Sequence, residues 1–471
     1  MSSSQEINSL KQELNDLIQS KETKRIKEFI YSQNPADLAE ILEESEPENI
    51  LKIISLADQE KQADLIEAFD LLDQVDIILK TSPEQSARII EKMAHDDRAD
   101  LVSSLPENMQ SSVLALVNPR ERADINRLMS FPKDSAGSIM TTDYATIAPD
   151  MTVGQAVEKL RNIASDAETI FYVYVVDKSG FLLGIVSLRY LIFSKPEKII
   201  SQIMYSENIT TVRPDTDKEE VAEIISKYDL LAVPVTIPDE HNQFNDQGNI
   251  EFHEKILGIV TVDDVLDVLE DEATEDFYKM GAAGNPSEED YLSVPVITMA
   301  RQRITWLIFL VFVGFISGYI MEQFSGMLTN MVSLTFFIPL LCASGGNAGS
   351  QATTVIIRSL STGEIDVTDI KRVLFKEVSI AVLVGSALGI CAAFRAVLMN
   401  NDYRLGLTVA LAMMATIVIA KAIGATLPIF LHKIGMDPAI MSAPLISTIL
   451  DVTTLLVYFY LAHIIMLPSN P

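Results

Sequence analysis

Hydrophobic and polar positions divide the chain near residue 300. Beyond it, residues 304–321 (ITWLIFLVFVGFISGYIM) carry no charge, and neither do the 35 residues from Gln323 to Ile357. A helix needs about 20 apolar residues to cross a bilayer core, so two spans joined by a short loop are predicted. Further apolar segments at about 376–399, 405–430 and 440–467 raise the number to five. Before residue 300 the periods are shorter. ADLAEIL, QADLIEAF, SARIIEKM, RADLVSSL and RADINRLM recur at intervals of about 12 or 24 residues within 21–135, punctuated by Pro or Asp. This spacing predicts short amphipathic helices stacked neighbour on neighbour into a small α-superhelix. Over 138–270 a longer unit repeats. SIMTTDYATIAPDMTVGQAVEKL aligns with QIMYSENITTVRPDTDKEEVAEII, and FLLGIVSLRYLI with KILGIVTVDDVL. Each copy couples a helix to β runs such as FYVYVVD and LLAVPVTI. HNQFNDQGNIEFHEK (241–255) reads as a hairpin insertion in the second copy, and a helix over about 262–280 leads towards the membrane.

Charge sharpens the division. The 471 residues carry a net charge of −29, yet the whole chain has more apolar residues than an acidic soluble protein needs. Residues 301–471 hold 10 Lys/Arg and 8 Asp/Glu, a balance of +2, which leaves −31 on the first 300. Such a head is a poor partner for nucleic acid, whose phosphates need Lys and Arg, and for anionic lipid headgroups. It attracts cations. Cys342 and Cys391 both lie in apolar stretches, so neither a disulfide framework nor a thiolate metal site is expected. The polar N-terminus carries no secretory signal. Arg301 and Arg303 precede the first span, Arg358, Lys371, Arg372 and Lys376 follow the second, and Lys433 follows the fourth. The opposite loops hold only Arg404. By the positive-inside rule the N-terminus is cytoplasmic and the C-terminus outside, as in a multi-pass protein of the cell inner membrane.

Within the spans, Asp451 breaks the apolar rule in APLISTILDVTTLLVYFY. A carboxylate there costs at least about 2.5 kcal/mol on insertion scales. It serves either as a cation site on a permeation path or as the partner of Lys421 or Arg395, the other intramembrane charges considered. SGGNAGSQATT (344–354) adds Gly345, Gly346 and Gly349 for close approach, with Asn347, Ser350, Gln351, Thr353 and Thr354 as neutral oxygen donors. Small polar residues equally serve as helix-packing contacts. One carboxylate with neutral oxygens suits a hard cation, and Mg²⁺ needs only one or two carboxylates because it keeps several waters. Two chains would bring two Asp451 side chains to one dication. In the head, Asp96/Asp100, Asp263/Asp267 and Glu272/Asp276 stand four apart on one helix face, where like charges repel mildly. These are solvated acidic faces, or surfaces that divalent cations bring together. His95, His241, His253, His432 and His463 are scattered and no nucleophile–base pair is visible, so an enzyme is not expected.

The repeat resembles a tandem pair of CBS domains, whose nucleoside signature is a Gly-hydrophobic-hydrophobic-Ser/Thr run with an Asp three residues on. The second copy has it as Gly258, Thr261 and Asp264, whereas the first has Ser187 and then Tyr190. Thr261 and Asp264 are therefore candidates for a nucleotide such as ATP. LGIVTVDDVLDVLEDEATEDFYKMG, PLLCASGGNAGSQATTVIIRSL and MDPAIMSAPLISTILDVTTLL, in this order, resemble the MgtE family of magnesium channels and transporters from about residue 25 to 467. The resemblance implies a multidomain membrane protein. It has a polar N-terminal segment (1–24), an all-α superhelical N domain (25–136), α/β CBS domains at 137–201 and 202–269, a connecting plug helix and linker (262–300), and a five-helix transmembrane domain (301–471).

It further implies a homodimer in a lipid bilayer, with Mg²⁺ as substrate and regulator. Asp451 matches the family's pore aspartate and Asn347 its second-span asparagine. Asp96, Asp100, Asp264, Asp267, Glu275 and Asp276 match sensor carboxylates, and Asp64, Glu219 and Asp229 align less securely. Ser350 stands where a second Asn is common, and Thr454 where a Gly often follows DVT. The alternatives are a transporter of Co²⁺ or Mn²⁺ and a membrane-anchored CBS nucleotide sensor.

Overall fold

The computed structural model describes residues 3–466 except 21, 44, 46, 164–168, 239–242, 245–249, 252–253, 285–290, 293 and 441–442. It divides into two compact units, Met1–Glu270 and Asp271–Pro471.

The first unit begins with helices α1 (Ser3–Ser20), α2 (Thr23–Ser32), α3 (Pro35–Leu42), α4 (Pro47–Ile54), α5 (Gln59–Glu67), α6 (Leu71–Leu79), α7 (Pro83–Ile90), α8 (His95–Ser104), α9 (Glu107–Leu116) and α10 (Pro119–Leu128). The 12-residue period becomes a buried ladder: Ile54, Ile66, Ile78, Ile90 and Val102 all lie in the core. Side-chain caps at Asn34, Asp58 and Ser82 restart the helices in the 24-residue period, each accepting a first-turn backbone N–H. Glu67 accepts the Ala94 N–H at 2.6 Å, and 24 residues later Glu91 accepts that of Asn118 at 2.6 Å. Residues 1–24 depart from the expected polar segment. Ile7, Leu10, Leu14 and Leu17 are spaced three and four apart, so one stripe of α1 packs into this core despite its charged surroundings.

The repeat folds as two α/β copies. In the first, β1 (Tyr144–Ile147) runs parallel to β2 (Thr169–Val176), which pairs antiparallel with β3 (Leu182–Ser187), around α11 (Val153–Ile163) and α12 (Leu188–Phe193). The second has α13 (Lys218–Tyr228) and antiparallel β4 (Ala232–Pro238). A hairpin of β5 (Gln243–Phe244) and β6 (Ile250–Glu251) leads to β7 (Glu254–Thr261), the partner of β4. A parallel bridge from Val212 to Val235 takes the place of β1. Each copy also lends backbone to the other: Thr141 bridges to Ile259 and Tyr205 to Ile185. The connecting helix is α14 (Val262–Met280).

The second unit holds α15 (Val296–Gln323), α16 (Ser325–Asn330), α17 (Ile338–Ser361), α18 (Ile370–Asn400), α19 (Tyr403–Lys433) and α20 (Ala443–Met466). Five of these are long and apolar enough to span a membrane, as the apolar runs predict. Packing grades them: α17 lies between α19 and α20, α18 lies along α19, and α15 leaves most of its surface exposed.

Candidate functional site

Close approach of α17 to α19 and α20 positions the membrane site. A Cβ at Gly345 would meet Thr416 Cγ2 at 2.8 Å and Thr454 Oγ1 at 2.9 Å, and one at Gly424 would meet the Gly349 carbonyl oxygen at 2.5 Å. Helices meet here backbone to backbone, which small residues permit. Thr353 Oγ1 donates to the Gly424 carbonyl at 3.1 Å, and Ser350 Oγ lies 3.5 Å from both the Ala443 carbonyl and Ser447 Oγ. The five neutral oxygen donors expected in this motif therefore separate by role. Thr353 joins helices, Asn347, Gln351 and Thr354 stand exposed on α17 and line a cavity of about 660 Å³, and Ser350 does both. Of the two departures from the family pattern, Thr454 is buried over Gly345, whereas Ser350 both bonds to the start of α20 and lines the cavity.

Asp451 sits half-buried in the third turn of α20, with Cys342 of α17 beside it. Neither basic partner considered for it is used. Lys421 Nζ donates to Glu377 Oε2 at 3.0 Å, both side chains being buried, and Arg395 is exposed on α18. Glu377, within the third apolar segment, is the partner that Lys421 takes.

At the end of α14, Lys279 pairs with Glu275 one turn back and with Asp437, 2.7 Å away in the loop between α19 and α20. Burial and the neighbouring Asp437 push the Asp276 carboxyl above its usual range. Burial would lower the Lys279 ammonium, but Asp437 and Glu275 outweigh this and hold it firmly charged. Glu275 and Asp276 are thus gathered with Asp437, a residue nothing in the local pattern singles out.

Within the first unit, Asp264 lies half-buried near Asp96, and burial with that like charge pushes it up to about 8. Thr261 donates to the same carboxylate from its hydroxyl (2.5 Å) and its backbone N–H (3.3 Å). The pair expected for a nucleotide is thereby engaged in capping α14. Asp100 and Asp267 are exposed, as is Glu219 in the first turn of α13. Asp229 is the left-handed residue (φ 50°) that ends α13. Asp64 lines a cavity of about 1110 Å³ of mixed charge, with Glu60, Glu67, Asp124 and Asp143 beside Lys92, His95, Arg98, Arg120 and Arg127 among others. His95 is no scattered histidine: Nδ1 lies 3.0 Å from Asp124 and Nε2 2.7 Å from Asp143. Burial alone would lower its pKa, but these two carboxylates raise it to about 9. Burial likewise works against the Asp124 charge, yet the bond to His95 outweighs it and brings that carboxyl to about 2. Arg98, fully buried, donates to Asp124 at 3.0 Å and pairs with Glu121 at 2.8 Å. Among the described residues, no group of three or more His, Cys, Asp or Glu side chains is preformed to hold a metal ion.

A cavity of about 750 Å³ opens between the two CBS copies, lined by Tyr172, Ser187 and Tyr190 of the first and Tyr205 and Tyr228 of the second among others. Its described lining has no Lys or Arg, so it offers faces for a flat ring but no cation for a polyphosphate. Thr261 and Asp264 are not among the residues that line it.

Comparison with known proteins agrees with this architecture. Residues 338–461 match the MgtE divalent cation transporter family, 33–134 the MgtE intracellular N domain, and 136–196 and 200–271 the CBS domain. The magnesium transporter MgtE of Thermus thermophilus is 38% identical over 351 residues, 74% of each chain. That of Bacillus subtilis is 37% identical over 349 residues, 74% of this chain and 73% of the relative. A crystal structure of the soluble part of a magnesium transporter superposes with a TM-score of 0.51 at 29% identity, over 57% of this chain and 99% of that one. The helical N domain, CBS pair and five candidate spans, with these matches over both units, place the chain in the MgtE family of divalent cation transporters.

Proposed function

We propose that the protein is a homodimeric channel or transporter that admits Mg²⁺ to the cytoplasm down its electrochemical gradient and closes when cytosolic Mg²⁺ is high. One observation carries the reading. Asp451 is a half-buried carboxylate in an apolar helix with no basic partner among the described residues, on a helix packed against α17, whose other face presents Asn347, Gln351 and Thr354 to a cavity. Magnesium is chosen because the curated relatives are magnesium transporters and because a hydrated hard dication suits few carboxylates with neutral oxygens. In a dimer, two Asp451 charges face one dication, and Asn347, Gln351 and Thr354, whose cavity Asp451 does not line, offer it neutral oxygens elsewhere on its path. With the N-terminus inside, the membrane potential drives Mg²⁺ inward by about 4.6 kcal/mol per 100 mV, twice the value for one charge.

Closure follows from like charges held close. Asp96 lies near Asp264, and Asp276 near Asp437; an abundant Mg²⁺ shared by either set takes the place of the Asp264 proton or of the Lys279 ammonium on Glu275 and Asp437. Asp100, Asp267, Asp64, Glu219 and Asp229 add to the same negative field. Mg²⁺ therefore biases a two-state arrangement of the cytosolic domains.

Purified protein in liposomes loaded with a Mg²⁺-sensitive dye tests the reading. Uptake well above that of protein-free liposomes, little reduced by an equal concentration of Co²⁺ or Mn²⁺, is expected. A signal equal to that of empty liposomes overturns it.

A further inference from the structure

The buried pair Glu377–Lys421 is an unusual feature to keep inside a membrane unit. It joins α18 to α19 at 3.0 Å, with the two residues 9% and 7% exposed. The two helices do not need it for attachment. Gly385 approaches the Met414 backbone and Gly389 the Ala410 carbonyl along a seam that continues through Ala381, Ala392 and Ala396. The pair lies where that seam meets the cavity of Asn347, Gln351 and Thr354, and both of its side chains line that cavity. Charged groups inside a membrane face the bundle interior or a water-filled cavity rather than lipid, and this pair lines a cavity.

We propose that Glu377–Lys421 is a second cation station on the ion route, at which the Lys421 ammonium competes with the permeating dication for the Glu377 carboxylate. The proposal rests on the reading that the Asn347 face lines the route. Its logic is that of any conducting site: binding must be favourable enough to enter and weak enough to leave. A lone buried carboxylate would hold a dication tightly. With an ammonium already on it, the net charge facing the cavity is zero, and the ion finds a shallow well. Lys421 is thus a built-in competitor that sets how long the ion stays.

Mg²⁺ uptake against outside Mg²⁺ concentration, measured for full-length protein in liposomes, tests this. Lys421→Met should lower the half-saturating concentration about tenfold or more and also lower the maximal rate, because the freed carboxylate traps the ion. Glu377→Gln should raise the half-saturating concentration, because a bare ammonium then faces the cavity. Where a lone buried charge prevents either variant from folding, the neutral double variant Glu377→Gln/Lys421→Met remains readable, since replacing both partners avoids it. Its maximal rate should fall several-fold with thermal stability retained. Half-saturation unmoved in both single variants, or wild-type uptake by the double variant, would overturn the proposal and leave the pair a helix tie. An Asp451→Asn variant measured alongside separates the two readings: if it abolishes uptake while the pair variants behave as wild type, the route stands and the second station falls.

Discussion

Gly424 in α19 is the position where the packing of the candidate pore-lining helix can be tested most sharply. An alanine Cβ there would stand 2.5 Å from the Gly349 carbonyl oxygen and 3.0 Å from Thr353 Oγ1, where ordinary contact begins at 3.4 Å. The obstacle is backbone, which cannot rotate away, so α17 and α19 must part by the difference, about 0.9 Å. Overpacking of this kind costs about 1–3 kcal/mol. Stretching the Thr353–Gly424 bond adds about 0.6 kcal/mol, and the better helix propensity of alanine returns up to about 1 kcal/mol. A net loss of about 1–3 kcal/mol remains, which for a unit of this size lowers Tm by about 3–10 °C. The assay is thermal unfolding of the purified full-length protein in detergent, beside Gly314→Ala in α15, where a new Cβ meets nothing within 4 Å. Gly314→Ala should melt with or slightly above wild type. If Gly424→Ala melts with wild type, or both variants fall alike, the backbone contact is not what holds α17 in place.

Other consequences follow from the charged clusters. The His95 pKa, raised from 6.5 to about 9, means its pairing stabilises fully below pH 6.5 and is lost as pH rises towards 9. Hydrogen exchange in α8 and α10 should report a loss of up to about 3 kcal/mol over that window, and His95→Gln should flatten the dependence. A flat profile in wild type would refute the pairing. Millimolar Mg²⁺ should protect residues 1–280 of the intact protein from protease relative to EDTA; identical digestion would count against the sensor. Because Asp264 titrates near pH 8, Mg²⁺ binding beside it must displace a proton, so the half-protecting Mg²⁺ concentration should rise from pH 8 to pH 6. Asp437→Ala should weaken the same protection by removing a carboxylate that faces Asp276; unchanged protection would exclude that cluster.

What could be read from the sequence is what local pattern encodes. Uncharged runs gave the spans, the 12-residue period gave the Ile54–Ile66–Ile78–Ile90 ladder, and internal alignment gave the two CBS copies. Asp451 stood out because a carboxylate in an apolar helix breaks a strict rule. Partners distant in sequence did not stand out. Glu377 and Lys421 are 44 residues apart on two helices, and which faces of α18 and α19 meet is decided by Gly385 and Gly389 rather than by the charges. Asp437 gains meaning only when the end of α14 reaches the loop before α20. In SGGNAGSQATT, composition could not say which hydroxyls face helices and which face the cavity, since helical rotation and neighbour geometry divide them. At Thr261 and Asp264 the signature has two meanings, because a hydroxyl followed three residues later by a carboxylate also makes a helix cap.

The most direct test is potential-driven Mg²⁺ uptake by wild-type and Asp451→Asn protein at equal reconstituted density, with equal melting confirmed in detergent. Asn keeps the volume and the hydrogen-bonding atoms but removes the charge. Wild-type uptake should accelerate with an inside-negative potential, and Asp451→Asn should fall to the protein-free background at every potential. Asp451→Asn uptake at the wild-type rate would contradict the placement of that carboxylate on the ion's path.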